Sequence, residues 1–273
     1  MILLNYSERA SNYIDAADSL GNIRNNKGML NYVRLCDDAV KNAGITTGAV
    51  YLFAGDETGD LSHSHKFNFL DSRDSDDAFR LTFHEGVSFT NNGLKGDGNT
   101  GYARTYYVPS ERDENNSLVV YGVSTQNTTA QGSDLGAIEA IGNTVSASKH
   151  FSSRRNSTGT FFGQNNLLSN AVNVPNQSGI GVYACFNTGL INNAYKNANL
   201  LGIGSTASAI SKPSYNICLL SRARNGNIPG GETQYSNATL SVVILSPNVI
   251  ETSKIMKLSN DMVVLQRSIG RGI

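Results

Sequence analysis

The chain has no tryptophan, only three cysteines among 273 residues, no excess of either charge, and no long apolar run. Each absence removes a class of protein. Without tryptophan, any flat aromatic surface for a sugar ring must come from tyrosine. Cys36, Cys185 and Cys218 stand far apart with no C-x-x-C spacing, so they form neither a disulfide framework nor a zinc site and read as small buried hydrophobes. Twenty-two basic residues balance 22 acidic ones, and only 16% of residues are charged. That argues against a general nucleic-acid or membrane-surface binder, which needs a basic excess. No segment approaches the about 18–20 apolar residues of a membrane span. The opening MILLNYSERAS lacks the basic region and long apolar stretch of a secretory leader, so synthesis in a cytosol and a soluble product are expected. No repeat of fixed period is present.

What is present is glycine, asparagine, serine and threonine, a composition suited to short strands joined by tight turns. Residues 1–45 read as helical. Ser7 is a candidate N-cap ahead of Ala10, Tyr13, Ile14, Ala17 and Leu20, with Gly21 and Asn22 ending the run. Met29, Leu30, Val33, Cys36 and Val40 follow at helical spacing, closed by Gly44. From residue 66 to 245 the pattern changes to short apolar runs of period two. Strands are expected at 79–83, 87–90, 102–108, 117–123, 135–138, 145–151, 158–162, 180–186, 191–196, 200–204, 214–220 and 239–245. Their spacing, with polar turns between, predicts a sandwich rather than βαβ units. The end returns to helix: Thr252 as cap, an apolar stripe of Ile255, Leu258, Met262, Leu265 and Ile269, and Gly270 beyond it. The organisation is therefore an N-terminal helical segment, 1–45, open to use as a docking arm, and a β domain with a closing helix, 46–273.

Catalytic patterns are sparse. An E-x-D-x-E strand, whose alternation would point carboxylates into a groove, is absent. Asp56, Glu57 and Asp60 come closest but surround a glycine turn, and Asp74, Asp76 and Asp77 follow Arg73 in a polar loop. His63 and His65 would share a face if extended; His84 and His150 stand alone. No G-x-S-x-G elbow occurs. Arg154-Arg155 and Arg222 with Arg224 read as solvated or subunit-contact pairs. For a glycan, Tyr102, Tyr106, Tyr107, Tyr121, Tyr183, Tyr195 and Tyr235 are available as platforms, with Tyr102, Tyr106, Tyr121 and Tyr195 the chosen candidates.

Residues 65–107, HKFNFLDSRDSDDAFRLTFHEGVSFTNNGLKGDGNTGYARTYY, carry the most distinctive pattern. This segment resembles the "HKFNL…DPRD…AFRL.F..G…G…NGT.GYA.T" stretch of a module found in bacteriophage tail fibres and other virion appendages. Three further places resemble it: SNYIDA (11–16) with KNAGITTGAVYLFAG (41–55), the hairpin AYKNAN (194–199), and the closing LQRSIGR (265–271). Ala198 departs from the usual hairpin glycine, and Leu52 from a usual proline. The resemblance implies a mainly β fold, a concanavalin A-like (LamG-like) jelly-roll β-sandwich with N-terminal helices and a C-terminal helix. Calcium is the one cofactor such sandwiches suggest. Asp97 and Asn99 in GDGNTG are its candidates, although the EF-hand pattern fails and the module has a turn there. The implied function is a virion structural protein (capsid decoration, head fibre or tail fibre), not an enzyme, attaching to host-surface glycans. It would be located in the virion, with other virion proteins and further copies of itself as partners, and neither nucleic acid nor membrane insertion. The alternative is a stand-alone carbohydrate-binding lectin; a polysaccharide depolymerase ranks below it for want of paired carboxylates.

Overall fold

The computed structural model describes residues 6–18, 21, 23–55, 61–112, 116–141, 144–166, 171–205, 210–225, 234–248 and 250–273. The helices are α1 (Glu8–Ala17), α2 (Lys27–Ala43), α3 (Leu61–Ser64) and α4 (Thr252–Ser268). The strands are β1 (Ala49–Tyr51), β2 (Thr82–Phe83), β3 (Val87–Thr90), β4 (Gly93–Gly96), β5 (Ala103–Arg104), β6 (Leu118–Thr125), β7 (Leu135–Ile141), β8 (Thr144–Arg155), β9 (Thr160–Asn165), β10 (Val172–Pro175), β11 (Gly181–Thr188), β12 (Ile191–Lys196), β13 (Asn199–Ser205), β14 (Cys218–Leu219), β15 (Ala223–Arg224) and β16 (Thr239–Ser246).

The strands form two 8-stranded sheets. The first runs β13-β12-β11-β6-β16-β4-β3, with β1 also on β16; the second runs β10-β9-β8-β7-β14-β5-β2, with β15 on β7. All pairings are antiparallel except β15 with β7. The fold is thus a mainly β sandwich with few helices, as the strand spacing predicts.

Helices make it three layers. Val120, Val182, Ala184, Val242 and Ile244 of the first sheet share a core with Tyr13, Val33, Cys36, Val40, Leu258 and Met262 of α1, α2 and α4. Their neighbours Val119, Tyr121, Tyr183, Cys185 and Val243 point the other way, into a second core against Leu135, Phe151, Phe161 and Leu219. With both faces of the first sheet buried, β6, β11 and β16 read as continuous apolar runs rather than clean alternations.

Local signals place the helices. The Ser7 hydroxyl accepts from Ala10 N, and Asn26 Oδ1 accepts from Gly28 N and Met29 N. Gly44 and Gly270 end α2 and α4 in the left-handed region, at φ 79° each. No side chain caps α4; Thr252 is its first residue rather than its cap. In the β12–β13 hairpin Asn197 and Ala198 both have positive φ, 49° and 63°. Ala198 therefore adopts the glycine-type turn at a cost of about 1–2 kcal/mol rather than altering it. Elsewhere the expected strands shorten. Phe79 sits at φ 61° after a 3₁₀ turn, so only Thr82–Phe83 of 79–83 is strand, and only short pairs remain of 102–108 and 214–220.

The motif residues hold this frame. Asn68 Oδ1 accepts from Val50 N and Leu70 N, and its Nδ2 donates to Gly48 O and Ala78 O, so all its bonding serves to pin residues 66–80 to β1. A Cβ at Gly101 would lie 2.2 Å from Gly86 O, which explains a glycine before Tyr102. Arg271 is 2% exposed and donates to five acceptors: Asn91 O, Leu52 O, Ser241 O, Phe53 O and Gln266 Oε1. Arg271→Ala is expected to cost about 3–5 kcal/mol in urea denaturation, because each carbonyl left dry costs ~1–3 kcal/mol.

Two buried histidines set an acid limit. Burial, then the Arg271 charge, pulls His65 down to about 3; burial, then Arg222 and Arg155, pulls His150 well below its ordinary value. The unfolded chain protonates both near pH 6.5 while the folded chain does not. Stability from this source is therefore full above pH ~6.5 and falls as pH drops, by up to about 1.4 kcal/mol per pH unit for each histidine. Denaturation midpoints across that range should show the slope, and His150→Asn should reduce it.

Candidate functional site

The second sheet has one face toward the inter-sheet core and one away from helices and first sheet alike. Pairing register identifies the rows. Phe151, Leu135, Leu219 and Ala103 lie side by side in the core. The neighbouring row is Gln164, His150, Gly136, Cys218, Arg104 and Thr82, crossing six strands on the outer face.

At the β5–β2 end of that row a compact group forms. Tyr102 stacks on His84 with ring centroids 4.0 Å apart and planes 11° from parallel. The Arg104 guanidinium lies 5.9 Å from the Tyr106 ring centroid, and the Tyr106 hydroxyl is 3.1 Å from Thr82 Oγ1. His84, Arg104, Tyr106 and Thr82 are half-buried; Tyr102 is 9% exposed. Burial, then the Arg104 charge, lowers the His84 pKa, and burial is the main cause raising Tyr102. Arg104 Nε is buried with no hydrogen-bond partner among the described residues. The group thus gathers an aromatic ring, a planar cation, an imidazole and hydroxyls on one half-buried surface.

The four tyrosines singled out from sequence do not converge. Tyr102 and Tyr106 belong to this group. Tyr195 lies on β12 of the other sheet, stacked on Phe186 with centroids 5.8 Å apart. Tyr121 is fully buried between the sheets, stacked on Tyr183, and cannot serve as a platform. The reason is register: Val120 faces the helices, so Tyr121 must face the inner core. Tyr107 and Tyr183 are buried as well. His84, Arg104 and Thr82 were missed, although Y-A-R-T-Y places 102, 104 and 106 at strand-face spacing.

The metal candidates resolve differently. Asp97 Oδ1 accepts from the backbone N–H of Asn99, Thr100 and Gly101, and Oδ2 accepts from the Thr100 hydroxyl. Burial pushes that carboxyl up, but these four bonds outweigh it and hold it at about 2. Its oxygens are spent on their own turn, and Asn99 contributes its N–H rather than a ligand oxygen. His63 does not pair with His65: its Nε2 meets Ala16 O at 2.8 Å, while His65 meets Thr90 O. Among the described residues no three His, Cys, Asp or Glu side chains gather as metal ligands. Asp56, Glu57 and Asp60 lie outside the described residues. Burial pushes the Cys36 and Cys218 thiols up to about 12, which suits packing rather than chemistry.

Two clefts lie elsewhere. One of about 380 Å³ is lined by Arg9, Asn12, Phe69, Leu70, Asp71 and Arg73, but its cations are matched, Arg9 to Asp37 and Arg73 to Asp71. The other, about 320 Å³, runs between α2 and α4. No described helix is long and apolar enough to cross a membrane.

No protein-family model and no curated protein matches this chain. Solved structures do. Trypanosoma rangeli sialidase matches with a TM-score of 0.52 at 13% identity, covering 87% of this chain and 39% of the sialidase. The same enzyme in complex with sialic acid gives 0.53 at 13% identity with the same coverage. The chain thus spans about two fifths of the length of the sialidase it matches. The CBM40 of Ruminococcus gnavus IT-sialidase, bound to α2,3 sialyllactose, overlaps less: TM-score 0.41 at 12% identity, over 53% of this chain and 82% of that one. At such identities the sialidase matches establish a shared fold.

They also correct one expectation, that the chain is not an enzyme. The matched sialidase is solved as a covalent intermediate with 2,3-difluorosialic acid, so this fold occurs within a glycosidase. Sialidases use a tyrosine nucleophile instead of a carboxylate pair. The missing E-x-D-x-E strand therefore does not exclude hydrolysis.

Tyr121→Phe removes a buried hydroxyl that has no hydrogen-bond partner among the described residues. It should raise thermal stability, by about 1 kcal/mol, and leave any ligand binding unchanged.

Proposed function

We propose that this chain is a carbohydrate-binding sandwich that holds a glycan on the outer face of its second sheet, against Tyr106, Arg104, His84 and Thr82. The observation that carries this reading is the half-buried group itself. A tyrosine ring covers the apolar face of a sugar, while guanidinium and hydroxyls bond its oxygens, all on or beside the β2–β5 pair. Glycan-bound sialidases with the same fold support the ligand class. The four sequence motifs support a setting on a bacteriophage particle, where a rigid sandwich would present this face to host-surface polysaccharide.

A glycan array with the intact chain tests the ligand. Tyr106→Ala should weaken binding about tenfold, equivalent to ~1.4 kcal/mol, without lowering the melting temperature. Unchanged affinity would move the site elsewhere. Assay of the bound glycan for new reducing ends separates binding from hydrolysis. Sedimentation of the chain with purified particles tests the setting.

A further inference from the structure

On the helical side and its adjoining loops, five arginines meet carboxylates: Arg9 with Asp37, Arg24 with Asp15, Arg34 with Asp38, Arg73 with Asp71, and Arg80 with Asp76. Two arginines of the second sheet meet rings instead. Arg104 lies over Tyr106, and Arg155 lies 3.6 Å from the Phe162 centroid. Neither has a carboxylate within ion-pair distance among the described residues. The groups beside Arg104 are neutral or aromatic, and because its Nε is buried, the terminal nitrogens are the ones left to meet a ligand. A half-buried guanidinium retains a large unmet demand for an anion, and its planar fork fits a carboxylate through two parallel bonds.

We propose that the glycan is acidic, and that Arg104 takes a sugar carboxylate while Tyr106 covers the ring. This rests on the glycan reading above and narrows it to carboxylate-bearing sugars. Phe162 shares the outer face of the sheet with the Arg104 row, because it lies two residues from Gln164 on β9. Arg155 over that ring supplies a second cation, three strands across and five residues along β8 from the Arg104 row, about 20 Å away. An acidic chain of several sugars would span that distance.

The test uses two acidic probes with neutral counterparts: 3′-sialyllactose against lactose, and oligogalacturonate against its methyl ester. The intact chain should bind one acidic probe at least tenfold tighter than its counterpart, with affinity falling as salt rises. The probe that binds tells a nonulosonic acid from a uronic acid. Arg104→Gln should abolish that preference with an unchanged melting temperature, while Arg104→Lys should keep part of it. Equal affinity for acidic and neutral probes, or a preference that survives in Arg104→Gln, overturns the inference but leaves the glycan reading intact. No binding to any sugar on the array or in solution removes both.

Discussion

One buried guanidinium ties the three layers together. Arg271 follows the glycine that ends α4 and reaches through the helical layer to the carbonyls of Leu52 and Phe53 after β1, Ser241 in β16, and Asn91 in the β3–β4 turn. Gln266 of α4 accepts from it and donates to the Tyr32 hydroxyl of α2, which itself donates to Leu52 O. A cation buried this deeply is tolerated only when every donor is met, and here neutral oxygens and the Tyr32 ring, 5.5 Å away, replace a carboxylate. Helix, sheet and turn must all be in place before that set of acceptors exists. The network therefore rewards only the complete arrangement.

The same logic explains why the most distinctive stretch of sequence is mostly framework. His65, Asn68 and Gly101 are buried, bonded or crowded against backbone, and the aspartates and arginines of 71–80 neutralise one another at the surface. Within it Thr82, His84, Arg104 and Tyr106 stay half-buried and gather on the outer side of the second sheet. A family resemblance carried by such residues reports how the chain folds far more than what it holds.

Legibility followed from how local each signal is. The helices were readable because their caps and apolar stripes lie within a few residues of one another: Ser7, Asn26, Gly44 and Gly270 act on their own turns. Strands β12 and β16 were readable from length and branched residues. Strands β4, β10 and β15 were not, because four residues or fewer become strand only through a distant partner such as β16, β9 or β7. The site was half legible. Alternation joins Tyr102 and Arg104, whereas Tyr106 comes round through a left-handed turn at φ 56° beyond β5, and His84 arrives by pairing of β2 with β5 and leaves no trace in composition. Tyr121 was misjudged because β6 is apolar on both faces, and periodicity alone does not tell which face a residue takes.

The layer order also gives the molecule a front and a back. Helices cover one side of the first sheet, and the Tyr106–Arg104 group lies on the far side of the second, with two sheet thicknesses between them. Sheets stack about 10 Å apart, so anything gripping α1, α2 or α4 stands well clear of that group. A contact on the helices and a contact on that group would sit at opposite poles, and neither has to yield space to the other.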